Sequence, residues 1–313
     1  MTPPPQAAGG GLAPGGQTME IASGAHRAVV TRSGATLRAY DLGGRPVVEA
    51  FDGPEAPVVG CQGEVLAPWP NRVVDGRWTW RGRSLQLSIT EPERGHALHG
   101  LVRTLAWDVV GRRDDAVELE VLLLAHPGWP FPLRFRVGYR LDEGGLTSTV
   151  TATNVGREAC PYGAAVHPYV AFGGGAVDRA ALHLPAGSWL ETDGRLAPVR
   201  RRPTAGTAYD LGGGGPIGDR RIDTAYTDLP RSAGGRVEAR VTAPDGTSTV
   251  VWGDGAVCWW QVFTGDALPA PWRRQALALE PMTCAPDALN SGDGLVWLEP
   301  GASASMTWGL APG

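Results

Sequence analysis

Short runs of alternating apolar and polar residues, each closed by glycine or proline, are the feature of this chain that most narrows its fold. Arg77-Trp78-Thr79-Trp80 leads through Arg81-Gly82 into Ser84-Leu85-Gln86-Leu87, so large and polar residues alternate around a tight break, as a β-hairpin requires. The grammar recurs. Leu105 to Gly111 and Val117 to Leu124 flank Arg112 to Asp115; Leu133 to Leu141 and Leu146 to Val155 flank Asp142-Glu143-Gly144-Gly145; Arg236 to Thr242 and Thr247 to Trp252 flank Pro244-Asp245-Gly246. The chain holds 45 glycines and 27 prolines in 313 residues, a level close to that of low-complexity sequence, yet they fall between apolar runs and so act as turn punctuation. No fifteen-residue window carries a sustained helical stripe, whereas β-branched and aromatic residues crowd the runs. The expected fold is all-β, a sandwich or barrel, and the lack of a fixed-length repeat argues against a propeller. One domain is expected over residues 19–313, after a Pro/Gly-rich tail over residues 1–18 that reads as an upstream start or a dispensable extension.

Composition then removes whole classes of function. The 28 basic residues are all arginine, which excludes a Schiff-base lysine and with it PLP and class I aldolase chemistry. With 32 acidic residues the formal net charge is −4, so no polycationic surface exists for nucleic acid. No apolar run is long enough for a membrane span. The N-terminus lacks the basic and apolar regions of a secretory signal, and Cys61, Cys160, Cys258 and Cys284 are too scattered for a metal motif. A cytoplasmic protein with reduced thiols is expected. Gly213, Gly215 and Gly218 match a dinucleotide fingerprint only formally, because Pro216 interrupts and no strand-to-helix context surrounds them. No cofactor is implied.

Several polar residues stand in settings that suit chemistry. His96 and His99 lie in a glycine-bracketed segment, where three-residue spacing does not put both rings on one face, so a ligand-binding loop histidine is favoured over a metal pair. His167 follows an apolar run and precedes Pro168, which biases it toward extended backbone at a strand tip. Glu280 ends the run Gln275 to Leu279 and precedes Pro281; partial burial there would raise its pKa into the range of a general base. Asn71-Arg72 and Asp223 are ambiguous one at a time. His26, His126 and His183 read as structural or surface residues, and most of the twelve tryptophans as core, the rest leaving aromatic faces available to a ligand.

Taken in order, these segments resemble the aldose 1-epimerase (galactose mutarotase) family over roughly residues 60–293. Trp69-Pro70-Asn71-Arg72, Leu98-His99-Gly100, His167-Pro168-Tyr169, Asp223-Thr224-Ala225-Tyr226, Trp260 to Gly265, and Leu279-Glu280 with Pro286 to Asn290 follow the family's order. The resemblance implies a large antiparallel β-supersandwich and cofactor-free interconversion of the α and β anomers of a free aldose. Glu280 would take the anomeric hydroxyl proton and His167 would protonate the ring oxygen. Arg72, His99, Asp223, Asn71 and Gln261 would hold the sugar, and no metal is called for. Leu101-Val102-Arg103 and Pro281-Met282-Thr283 are more similar to a bacterial subgroup that includes proteins linked to sulfoquinovose metabolism, which leaves the aldose open and admits an anionic sugar clamped by Arg72 or Arg103. An ionised Glu280 with a protonated His167 implies activity falling on both sides of an intermediate pH. Competing readings are a non-catalytic carbohydrate-binding or sensing protein on the same fold, and a glycoside hydrolase using Asp223 and Glu280, whose carboxyls would have to lie about 5–10 Å apart.

Overall fold

The computed structural model describes residues 13–173 and 176–313. Of the expected tail, residues 1–12 lie outside the described ones. From Gly15 onward the chain is bonded to its neighbours: the Gly15 and Gln17 carbonyls accept from the Ser33 and Arg32 amides, and the first strand, Thr18–Ser23, already begins at residue 18.

The architecture is all-β, with the two largest sheets packed face to face. The larger has its main strands in the order Thr18–Ser23, His26–Thr31, Leu37–Leu42, Arg45–Val48, Tyr169–Val170, Leu277–Met282, Trp259–Phe263, Asp223–Thr227, Ser188–Thr192 and Pro198–Pro203, with Ala165–Val166 and Val65–Leu66 branching from the centre. The second runs Asp108–Arg112, Ala116–Leu123, Leu133–Asp142, Gly145–Asn154, Ser303–Pro312, Ser248–Gly253, Val237–Thr242 and Ala181–His183. Neighbours in both pair antiparallel. The hairpins fall where the turn residues predict them: Trp80 pairs with Arg83 around Arg81-Gly82, both at positive φ, and Asp142 pairs with Gly145. Among the described residues the single α-helix is Ala288–Ser291, and no helix is long and apolar enough to cross a membrane.

Period-two alternation sends one set of side chains from each sheet into a shared core. Val30, Leu37 and Tyr40 meet Phe135, Val137 and Tyr139, and the Tyr139 hydroxyl donates to the Ala35 carbonyl at 2.7 Å. Leu277, Leu279, Trp260 and Val262 join the same core, each aliphatic side chain contributing about 1.5–3 kcal/mol by burial. The opposite face of the large sheet is also covered. Two satellite apolar clusters, one around Trp259, Met282 and Ala225 and one around Tyr169, Ala278 and Leu268, sit on that outer face. The exposed edge Pro198–Pro203 carries Arg200, Arg201 and Arg202 between prolines, which discourages further strand addition.

Candidate active site

Three central strands carry the floor of the site. Gln261 lies directly opposite Glu280, and Asp223 opposite Phe263, so Asp223, Gln261 and Glu280 share the outer face while Leu277 and Leu279 point into the core. The Gln261 amide donates to Asp223 Oδ1 at 2.6 Å. Glu280 is not at a strand end: Leu277–Met282 continues through Pro281, and the strand beside it is interrupted between Val166 and Tyr169, so the missing proline N–H breaks no ladder there.

That interruption delivers His167. Its amide donates to the Glu64 carbonyl and its carbonyl accepts from the Gly63 amide at 2.8 Å. Gly63 has φ +69, and a Cβ there would stand 1.8 Å from the Leu37 carbonyl oxygen, so glycine is required for the backbone that grips His167. The ring stacks on Tyr169 with centroids 5.1 Å apart, and its Nε2 lies 3.3 Å from Glu280 Oε1. The side chains are 6% and 2% exposed. Glu280 Oε2, His167 Nδ1 and Gln261 Oε1 are three of the eleven buried side-chain polar atoms that have no partner among the described residues.

The walls come from earlier segments. Asn71, at φ +55, exchanges backbone bonds with the His99 segment, accepting from the His99 amide at 2.9 Å and donating its own amide to His99 Nδ1 at 3.2 Å. Because Nδ1 accepts, the His99 proton sits on Nε2. The Asn71 carboxamide oxygen accepts from the Arg72 amide. The His99 ring meets His167 edge-on at 5.6 Å. His96 turns away from the cleft: it is fully buried, accepts from the Asp75 amide and bonds the Arg195 carbonyl, so it is structural and does not pair with His99. Among the described residues no cluster of three or more His, Cys, Asp or Glu is arranged to hold a metal ion.

All seven residues singled out from the sequence, Asn71, Arg72, His99, His167, Asp223, Gln261 and Glu280, line one cleft of about 190 Å³. This is smaller than the roughly 300–1,000 Å³ that buries a drug-sized ligand and suits one small polar ring. The sequence did not reveal Glu91, Arg94, Cys61, Tyr169 and Phe263, which line it too. Glu91 binds Arg72 through Nε and one terminal nitrogen at 2.8 and 2.9 Å. No tryptophan lines the cleft; nine of the twelve are buried, and Tyr169 and Phe263 supply its aromatic surfaces. Arg72 and Arg103 are not surface arginines, since Arg72 is buried against Glu91 and half-buried Arg103 is bonded to Glu64 at 3.1 Å.

Burial decides the charges. It pushes the Glu280 carboxyl well above the usual range, helped by Asp223 and partly opposed by Arg72. It holds the His167 imidazolium down at about 3, with Arg103 adding to the effect. His99 is driven well below its usual value by burial and then by His167. Burial also lifts Asp223 against the pull of Arg72 and Gln261. Burial therefore favours a protonated Glu280 beside a neutral His167 over the ionised glutamate and charged histidine that the forward transfer is expected to use. The two states are proton tautomers of one pair.

Residues 17–310 match the family described as aldose 1-epimerase, a wider span than the motifs alone suggested. The chain is 31% identical over 291 residues to the uncharacterized protein YihR of Escherichia coli K12, covering 91% of this chain and 90% of that protein. Among solved structures, the GalM/aldose epimerase homologue from C. elegans superposes with a TM-score of 0.83 at 18% identity, over 95% of this chain and 99% of that one. The galactose 1-epimerase of Lactobacillus acidophilus NCFM does so at 0.78 and 18%, over 92% of both chains. The all-β double sheet is thus the galactose mutarotase-like fold, and the chain belongs to the aldose 1-epimerase family.

Proposed function

We propose that the protein is a mutarotase that interconverts the α and β anomers of a free aldose, with Glu280 and His167 as its proton-transfer pair. The carrying observation is the 3.3 Å approach of His167 Nε2 to Glu280 Oε1 on the floor of a small polar cleft. The two oxygens of a hemiacetal are bonded to the same carbon, so the group that takes the anomeric proton and the group that protonates the ring oxygen must be near neighbours. Mutarotation removes one proton and returns one, and a pair sharing a single proton meets that requirement without metal or nucleotide.

Once the sugar binds, moving the shared proton to His167 leaves Glu280 as the carboxylate that accepts the anomeric hydroxyl proton. His167 then protonates the ring oxygen, and the C1–O5 bond breaks to give the open aldehyde. Rotation about C1–C2 presents the other face of the carbonyl, and the reverse transfers close the ring. Asp223, Gln261, Arg72 and His99 are assigned to the hydroxyls, and Asn71 to holding His99 and Arg72 in place. That three such atoms belong to side chains lining one cleft supports a polyhydroxylated ligand, since a buried polar group left unpartnered costs about 1–3 kcal/mol.

NMR exchange between anomers of freshly dissolved glucose and galactose tests the assignment. Acceleration by the protein is expected. Sugar binding by calorimetry with no exchange would return the protein to a non-catalytic binder, and release of a chromogenic aglycone would point to glycoside hydrolysis.

A further inference from the structure

Glu91 lies 19 residues from Arg72 in sequence and takes part in none of the proton transfers above, yet its carboxylate organises the charge of the cleft. Its two oxygens receive Arg72 at 2.8 and 2.9 Å, and one of them also receives Arg94 at 2.8 Å. Asp223 Oδ2 stands 4.0 Å from the same Arg72 terminal nitrogen that donates to Glu91. Among the described residues Arg72 and Arg94 are the arginines that line the cleft; Arg72 is engaged by Glu91 and Asp223 and Arg94 by Glu91, with Glu280 a third carboxyl on the lining. Arg103, behind it, is occupied by Glu64.

Glu91 cannot swing away when a ligand arrives. It is buried, and its loop is closed by paired bonds between the Glu91 and His96 backbones. Arg195 staples the same loop, donating to the Arg94 carbonyl and to Asp75. The guanidinium of Arg72 is therefore fixed in direction, with two of its five N–H groups consumed by Glu91 and three left over.

We propose that Glu91 is the charge filter of this cleft: by holding Arg72 and Arg94 as internal ion pairs, it offers Arg72 to the sugar as an oriented hydrogen-bond donor instead of a free cation, and so selects uncharged aldoses over those bearing a carboxylate or sulfonate. The inference rests on the reading that the cleft holds an aldose. A substituent carrying negative charge would have to compete with a bidentate carboxylate that is already in place, and would meet its repulsion.

The test compares glucose and galactose with glucuronate and sulfoquinovose, by anomer-exchange NMR and by calorimetric binding, in the wild-type protein, Glu91→Gln and Arg94→Gln. The wild type is expected to favour the neutral sugars. Glu91→Gln conserves shape and deletes one negative charge, so the anionic-to-neutral ratio should rise by about tenfold or more, as expected for one unit charge a few ångströms from a ligand charge in a half-buried site. Arg94→Gln, at a partly exposed position, should move the ratio the opposite way. A wild type that prefers glucuronate or sulfoquinovose overturns the filter, as does an unaltered ratio in Glu91→Gln. If that variant does not fold, the wild-type preference and the direction of the Arg94→Gln shift decide. Preferential binding of neutral sugars without exchange would retain the filter and defeat the mutarotase reading; no binding of any sugar would overturn both.

Discussion

His167→Gln separates catalysis from structure through the pH dependence of folding. The wild-type ring is buried and holds its imidazolium down at about 3, whereas an unfolded histidine titrates near 6.5. Above pH 6.5 neither state carries the proton, and the shift costs nothing. As the pH falls through that value the unfolded chain takes up a proton that the folded protein refuses, so stability is lost progressively down to about pH 3. At pH 5 the loss is RT ln(1 + 10^1.5), about 2 kcal/mol. Glutamine does not titrate, so the variant's drop in unfolding free energy between pH 7.5 and pH 5 should be about 2 kcal/mol smaller than the wild type's. The raised carboxyl of Glu280 acts with the opposite sign: its contribution is full below the unfolded carboxylate value and is lost as pH rises toward its folded one. It is present in both proteins and so cancels in the comparison. His99 is held down partly by His167, and its release in the variant adds to the difference in the same direction. Urea unfolding followed by tryptophan fluorescence at the two pH values measures the effect, while kcat should fall by about 10²–10⁴-fold. Identical pH dependence in the two proteins would show that the ring is not kept neutral by burial, and undiminished turnover would remove it from the proton relay.

Glu280→Gln preserves the shape of the strand face while removing the proton carrier, and should likewise cost about 10²–10⁴-fold in kcat with sugar binding largely retained; wild-type exchange rates would reject the assignment. The pH profile of kcat/KM, corrected for spontaneous mutarotation, should stay level between the ordinary glutamate and histidine values of about 4.3 and 6.5, because burial spreads the two limbs apart; limbs at those two ordinary values would contradict it. Asp287→Ala should raise KM more than it lowers kcat, since the Asp287 amide donates to the Arg72 carbonyl and its carboxylate accepts from the Val74 amide. Asp287→Asn, which keeps the acceptor oxygen, should restore most of the loss, and equal changes in KM and kcat would argue against a positioning role.

The parts of this molecule that could be read in advance are those determined within a dozen residues. Arg81-Gly82 announces its hairpin because both positions must take positive φ, and the alternation around it tells which side chains enter the core. The family segments are equally local, and the cleft gathers all seven residues they named. That residues 19–313 form one folding unit is a proposal, which the single core shared by the two sheets supports. What could not be read is register and neighbourhood. Pro281 looks like a stop after Glu280, yet the strand passes through it because the adjacent strand happens to be broken at that point. Twelve tryptophans invite a sugar-stacking role, but the sheets need nine of them for their interior.

The same distinction explains why the resting charges differ from those the forward transfer requires. Sequence shows that a glutamate and a histidine are present, and their ordinary pKa values then suggest an ion pair. Only packing shows that both sit almost wholly out of water, where two separated charges cost more than one shared proton. Unpartnered oxygens and nitrogens also occur elsewhere in the interior, but three of them belong to polar side chains gathered on this one cleft. A chain that satisfies its hairpins, turns and core so consistently gains no stability from such atoms. Their persistence in the cleft follows if the partner that completes them is a ligand, and hydrogen bonds from such a ligand to the charged forms of Glu280 and His167 would offset the burial that holds the shared proton on the glutamate.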